Sequence, residues 1–153
     1  MTTSQRHTNR RLTLGKLGEA FAAAFLEQSG YRLVAANFQI PVGRNRRDAV
    51  ISTELDLIAY DQNTLCFVEV KTRASDWFAT PEANVDRRKR RQIARAARAY
   101  RQMLGIENDA YRYDVVSIVL SDEPDAIPQI ELLKNYWHED SLPRKRWLNR
   151  HYD

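Results

Sequence analysis

Two apolar segments separated by a short polar turn constrain this chain most: Glu54-Leu55-Asp56-Leu57-Ile58-Ala59-Tyr60 and Leu65-Cys66-Phe67-Val68-Glu69-Val70-Lys71, joined by Asp61-Gln62-Asn63-Thr64. They read as paired strands. Side chains alternate along a strand, so Glu54 and Asp56 share a face with Ile58, and Glu69 and Lys71 share one with Phe67. A hairpin closed by a loop centred on Gln62-Asn63 sets Asp56 across from Glu69, and Glu54 across from Lys71. Directly opposed Cβ atoms lie about 4.5–5.5 Å apart. Two carboxylates therefore meet on one face of an otherwise apolar hairpin, with an ammonium beside them.

Carboxylates that close repel one another, and burial further disfavours ionising either, so one pKa rises unless a cation intervenes. Oxygen-only ligands suit Mg²⁺ or Mn²⁺, and Mg²⁺ is typically held by one or two carboxylates, waters and substrate phosphate oxygens. Lys71 is then placed to hold an attacking water or to neutralise charge on a phosphoryl group. The alternative is a buried ion-pair cluster. Three acids against one base make a poor structural cluster, which favours the metal reading.

The order Asp56, hairpin, then Glu69-Val70-Lys71 resembles the PD-(D/E)xK signature of the restriction-endonuclease-like nucleases. More of the chain is similar to one branch, the bacterial YraN-like family of predicted endonucleases, which is related in pattern to archaeal Holliday-junction resolvases. The matching pieces are Leu17-Gly18-Glu19-Ala20, Gly30-Tyr31-Arg32, Glu54 to Ala59, Phe67 to Arg73, the loop from Phe78 to Asp86 before a basic helix, and Arg112 to Val116. The resemblance implies Mg²⁺- or Mn²⁺-dependent hydrolysis of DNA phosphodiester bonds, selectivity for branched DNA and, as in the resolvases, a homodimer. It implies Asp56, Glu69 and the carbonyl of Val70 as metal ligands, Lys71 as a catalytic residue, Glu19 as a catalytic residue that joins the metal shell, and Glu54 as its support. Gln92 matches a position near the scissile phosphate. For Glu19, an acid that simply favours the helix dipole is an adequate alternative. This sequence departs from the family in having Thr53 before Glu54, a longer connection over 39–52, and a basic tail after about Lys134.

Charge segregates. Net charge is only +4 in 153 residues, yet Arg6, Arg10, Arg11 and Lys16 open the chain without one acid among them. Arg44, Arg46 and Arg47 load the long connection, Arg87 to Arg91 begin a basic run, and Arg144, Lys145, Arg146 and Arg150 load the tail. Four such clusters favour a nucleic-acid partner, with RNA left open because phosphate contacts say little about the sugar. Two non-catalytic alternatives stand beside the nuclease: a nucleic-acid-binding module, and an interaction subunit of a DNA-processing complex. No apolar run reaches the roughly 18–20 residues of a membrane span, and the opening residues lack a signal-peptide core, so a cytoplasmic protein is expected. The single Cys66 reads as a buried hydrophobe, and the three histidines have no metal-ligand spacing.

The expected fold is α/β: a restriction-endonuclease-like mixed sheet of four to five strands flanked by helices, in the order αβββαβ(β). A basic arm over 1–13, a nuclease-like domain over 14–133 and a Trp-containing tail over 134–153 divide the chain. A helix is predicted from about Gly15 to Ser29, ended by Gly30, with Leu17, Phe21, Ala24, Phe25 and Gln28 as its main core stripe. Glu19, Ala22, Ala23 and Leu26 form a second stripe. Tyr31 to about Phe38 is the first strand. A long helix near Asp86–Leu104 buries Ile93, Ala96, Ala97, Tyr100, Met103 and Leu104. Arg88, Arg91, Arg95 and Arg98 form the opposite stripe, suited to phosphate contact and equally to a solvent face. With Arg11 and Lys16 these are the nucleic-acid-binding residues expected. Tyr111 to Leu120 is another strand, and Ile130 to Leu133 a short last one. Asp114 either orients Arg73 or Lys71, or pairs with a surface arginine. Trp77-Phe78 either stacks on bases or anchors a loop.

Overall fold

The computed structural model describes residues 3–75 and 85–139, with side chains of the first helix from Thr13 onward. Its elements run α1 (Thr3–Gln28), β1 (Arg32–Arg44), β2 (Val50–Asp61), β3 (Thr64–Ala74), α2 (Arg87–Leu104), β4 (Tyr111–Leu120) and β5 (Gln129–Trp137). This is the expected α/β order with the fifth strand present. The strands form one sheet in sequential order, antiparallel except for β3 against β4. That parallel pair requires a crossover, and α2 supplies it.

The hairpin register is the one expected. Leu57 pairs with Val68, Ile58 with Phe67 and Tyr60 with Leu65, about a two-residue connection in which Gln62 takes φ 54. Above Leu57–Val68 the ladder stops and the two strands diverge. Glu54 is therefore not opposite Lys71. It pairs with Gln39 on β1, while Lys71 pairs with Ser117 on β4.

The helices cover opposite faces. Ile93, Ala96, Ala97 and Tyr100 of α2 pack with Leu55, Ile58, Phe67, Tyr113 and Trp137, while Ala22 and Leu26 of α1 pack with Leu57, Ala59, Cys66, Val68 and Val116. The second apolar stripe of α1 faces the sheet, and Leu17 of the first stays exposed. Two adjacent stripes are nearly equivalent by periodicity; packing against the sheet chooses between them. The helix also begins at Thr3 rather than near Gly15, so the basic N-terminal residues are helical. Arginine and leucine sustain a helix there without any acidic first turn. At the other end, Tyr31 N–H reaches back to the Leu26 carbonyl (2.9 Å) around Gly30 at φ 90.

On α2, Asp86 caps the N-terminus by accepting from the Lys89 N–H (2.8 Å), and Gly105 closes the C-terminus in the left-handed region. Met103 and Leu104 are exposed rather than core; the buried place in the last turn goes to Arg101, whose guanidinium lies over the Tyr111 ring. The long connection over 39–52 is not a loop: β1 and β2 continue through it as a two-stranded arm. β5 likewise runs on to Trp137, buried and stacked on Tyr113 at 3.9 Å, so 134–137 belong to the sheet rather than to a tail. Among the described residues no helix is long and apolar enough to cross a membrane.

Candidate metal centre

The centre lies where β2 and β3 part. Asp56 occupies the fork: its Oδ2 accepts the backbone N–H of Val70 at 2.9 Å, replacing a ladder bond with a carboxylate. Alternation on β2 breaks at this residue. Leu55 joins the core beneath α2 and Leu57 the core beneath α1. On β1 the matching gap falls at Asn37, with φ 50, a left-handed conformation that asparagine tolerates better than most side chains.

Helix α1 delivers Glu19. Its neighbour Gly18 is packed so closely on β3 that a Cβ there would sit 1.8 Å from Thr72 Oγ1. Glycine is what lets the helix approach the residue after Lys71. Glu19, Glu54 and Asp56 then each present a carboxylate oxygen, all within 4.8 Å of one another. Gln39 Nε2 donates to Glu54 at 2.8 Å, and the Asn37 side chain hydrogen-bonds Glu19. Partial burial raises the Glu19 pKa, Asn37 opposes the rise, and the charges of Asp56 and Glu54 add to it.

Glu69 adjoins this trio through Asp56. It is 7% exposed, and burial, followed by the Asp56 charge, pushes its pKa up to about 8. Two ammonium groups counter that: Lys89 Nζ at 3.8 Å and Lys71 Nζ at 4.0 Å from Oε1. Lys89, Asn37 and Gln39 were not singled out in the sequence. Lys89 was hidden in a basic run, although the Asp86 cap three residues earlier signals which turn it sits on. For Asn37 no pattern existed, because its role follows from a backbone irregularity.

Other expected site residues are placed elsewhere. Asp114 is fully buried and turned to the α1 face, paired with Arg112 Nε (2.9 Å) and bonded by Tyr31 OH (3.1 Å) and Asn135 N–H (2.8 Å). It registers with Val68, three residues from Lys71 and five from Arg73 along β3, so it orients neither. It pairs with an arginine, but one that is half-buried on its own strand rather than at the surface. Arg73 itself is half-buried on β3, beside Val119. Gln92 is exposed, three residues beyond Lys89 on the same side of α2. Of the arginine stripe, Arg88 is exposed, Arg91 is half-buried, Arg95 Nη2 donates to the Val42 carbonyl at 2.7 Å, and Arg98 lies 3.9 Å from Glu139. Lys16 lies on α1, and Arg11 on its helical backbone. Trp77 and Phe78 lie outside the described residues.

The model of Uncharacterised protein family UPF0102 matches residues 18–118, a span holding the whole fork together with Gly18, Lys89 and α2. The chain belongs to the UPF0102 family. It is 36% identical to a UPF0102 protein of Moorella thermoacetica, over 83% of this chain and 97% of that one. It is 40% identical to one of Koribacter versatilis over 81% and 78%, and 39% identical to one of Symbiobacterium thermophilum over 82% and 96%. This UPF0102 chain has the donor set a hard cation takes. Oxygen ligands of octahedral Mg²⁺ at about 2.0–2.1 Å stand roughly 2.9 Å apart when adjacent and about 4.1 Å when opposed. Carboxylates within 4.8 Å meet that spacing after small movements.

Proposed function

We propose that this UPF0102 chain is a metal-dependent nuclease that hydrolyses DNA phosphodiester bonds. One observation carries the reading: Asp56 interrupts the sheet at a fork, where Glu19 and Glu54 come within single-ion reach and Glu69 stands between two lysines. A sheet built only for stability would close that ladder with apolar residues. Bound Mg²⁺ or Mn²⁺ would supply Lewis-acid polarisation of the phosphate and a more acidic water.

The residues of the chain account for the rest. Asp56, Glu19 and Glu54 would hold the cation, with Asp56 shared toward Glu69, and the Val70 carbonyl is the additional ligand implied by the resemblance to PD-(D/E)xK nucleases. Glu69 and Lys71 hold and orient the attacking water. As its oxygen bonds to phosphorus and the phosphorus–sugar-oxygen bond breaks, Lys71 and Lys89 stabilise charge on the non-bridging oxygens. Gly18 and Asn37 act through Glu19, and Gln39 through Glu54. Branched DNA and a homodimer remain within the proposal as the resolvase-like substrate and assembly.

The test is a cleavage assay of wild type and Asp56→Asn on labelled four-way junction, flap, linear duplex, single-stranded DNA and RNA, with Mg²⁺, Mn²⁺ or EDTA. Cleavage by wild type, absent from the variant and from EDTA, is the expected result. Binding without cleavage in every lane would refute the catalytic reading in favour of a binding module.

A further inference from the structure

We infer that the arm formed by β1 and β2 beyond the sheet is a clamp for duplex DNA, gripping backbone phosphates about six base pairs from the scissile bond. This rests on the nuclease reading for the identity of the polymer.

The arm is preorganised. Pro41 pairs with Ser52, Gly43 with Ile51 and Arg44 with Val50, across a bulge. Its turn is closed on itself: Asn45 Oδ1 accepts the N–H groups of Arg47 (2.9 Å) and Ala49 (3.0 Å), and Arg44 Nη1 donates to the Asp48 carbonyl at 2.7 Å. The root is fixed twice, by Ile40 and Val42 in the core beneath α2 and by Arg95 Nη2 on the Val42 carbonyl at 2.7 Å. Arg95 is thus a positioning residue of the arm as well as part of the α2 stripe.

What this rigid element presents is cationic. Arg46 and Arg47 are exposed at the tip and have no ion-pair partner among the described residues, and Arg44 pairs only loosely with Asp48 at 3.7 Å. Keeping an edge strand from aggregating would place arginines along the strand flank. Here two of them stand in the turn, beyond the last paired residues, where no edge needs protecting. Val50 and Ile51 are exposed beside them, apolar surface of the kind that rests on sugar edges.

Position decides the partner. β2 runs without interruption from Val50 to Glu54 and Asp56, so the arm and the metal centre are parts of one strand. Six residues at about 3.3 Å each place Val50 roughly 20 Å from Asp56. Phosphates of one strand advance about 3.4 Å per base pair. A duplex seated on the fork and running along β2 passes the arm about six base pairs away.

The experiment measures binding of the full chain to a labelled duplex in EDTA, where nothing is cut, for wild type, Arg46→Ala/Arg47→Ala and Arg46→Glu/Arg47→Glu. Circular dichroism melting of each protein confirms a folded state. Every phosphate that is no longer neutralised lowers the slope of log affinity against log salt by about 0.9, so the alanine pair reduces it by about 1.8 and the glutamate pair by at least as much. Hydroxyl-radical footprints should shorten on one side, about six base pairs from the position that wild type cuts once Mg²⁺ is added. Unchanged affinity and slope in both folded variants would overturn the clamp. A weakening on duplex RNA but not on duplex DNA would overturn the DNA assignment. Cleavage failing in every protein while the slope still falls would sink the nuclease and keep the arm; normal cleavage with an unchanged slope would do the reverse.

Discussion

Replacing Gly18 by alanine sets two effects of opposite sign against each other. In an ordinary helix interior the change stabilises, by about 1 kcal/mol, because alanine loses less backbone entropy. At this position the new Cβ meets Thr72 at 1.8 Å from Oγ1 and 2.8 Å from both Cβ and Cγ2. Rotating the threonine relieves the first clash but not the approach to its Cβ. Since carbon atoms pack best at about 3.5–4.0 Å, helix and strand must part by about 0.7 Å or more. Overpacking of that kind costs about 1–3 kcal/mol, which outweighs the helix gain. The net cost is then up to ~2 kcal/mol, or several degrees of melting temperature for a chain this size. Glu19 moves with the helix, and Mn²⁺ affinity measured by calorimetry should fall alongside stability. Gly18→Ala/Thr72→Ala should recover part of both. A Gly18→Ala protein that melts above wild type, with Mn²⁺ affinity intact, would refute the claim that close helix–strand approach positions Glu19.

Asp56→Asn should keep the acceptor for Val70 N–H and melt within a few degrees of wild type, yet lose Mn²⁺ binding; a calorimetric titration showing unchanged affinity would exclude Asp56 as a ligand. The raised Glu69 pKa makes metal-free stability fall as pH rises. The unfolded chain gives up this proton near the ordinary glutamate range, and the folded one keeps it to about 8. The contribution is full below about pH 4.5 and lost progressively toward 8; urea melts of Glu69→Gln should lack that slope. Mn²⁺ affinity should conversely rise with pH over the same window, since ionised Glu69 is favoured beside a cation. Asp114→Ala leaves Arg112 and Tyr31 without their buried carboxylate and should cost about 3 kcal/mol or more in urea denaturation, whereas a cost below about 1 kcal/mol would contradict its structural role.

The hairpin was legible because its signal is local: two strands, a two-residue turn and the alternation of side chains specify the register that brings Asp56 to Glu69. The bounds of α2, near Asp86 and Leu104, were legible for the same reason. The α1 stripe facing the sheet was not. Periodicity left two neighbouring stripes, and packing of Gly18, Ala22 and Leu26 against the sheet decides between them. Glu54 shows the same limit. A hairpin rule extended too far set it against Lys71, because nothing local announces that a carboxylate will end the ladder at Leu57.

What the sequence by itself determined is the chemistry on offer: an acid pair at hairpin spacing, an acid on the first helix, a lysine two residues after Glu69, and clusters of arginine. Tertiary structure alone decided how these are shared out. It moved Glu54 from beside Lys71 to beside Glu19, drew Lys89 out of a basic run to Glu69, withdrew Asp114 into a separate buried network, and turned a long connection into a rigid arm. The physical reason is range. Turn geometry and side-chain alternation act over a few residues, whereas a metal centre depends on where a helix and three strands converge, and that is set by packing across the whole sheet.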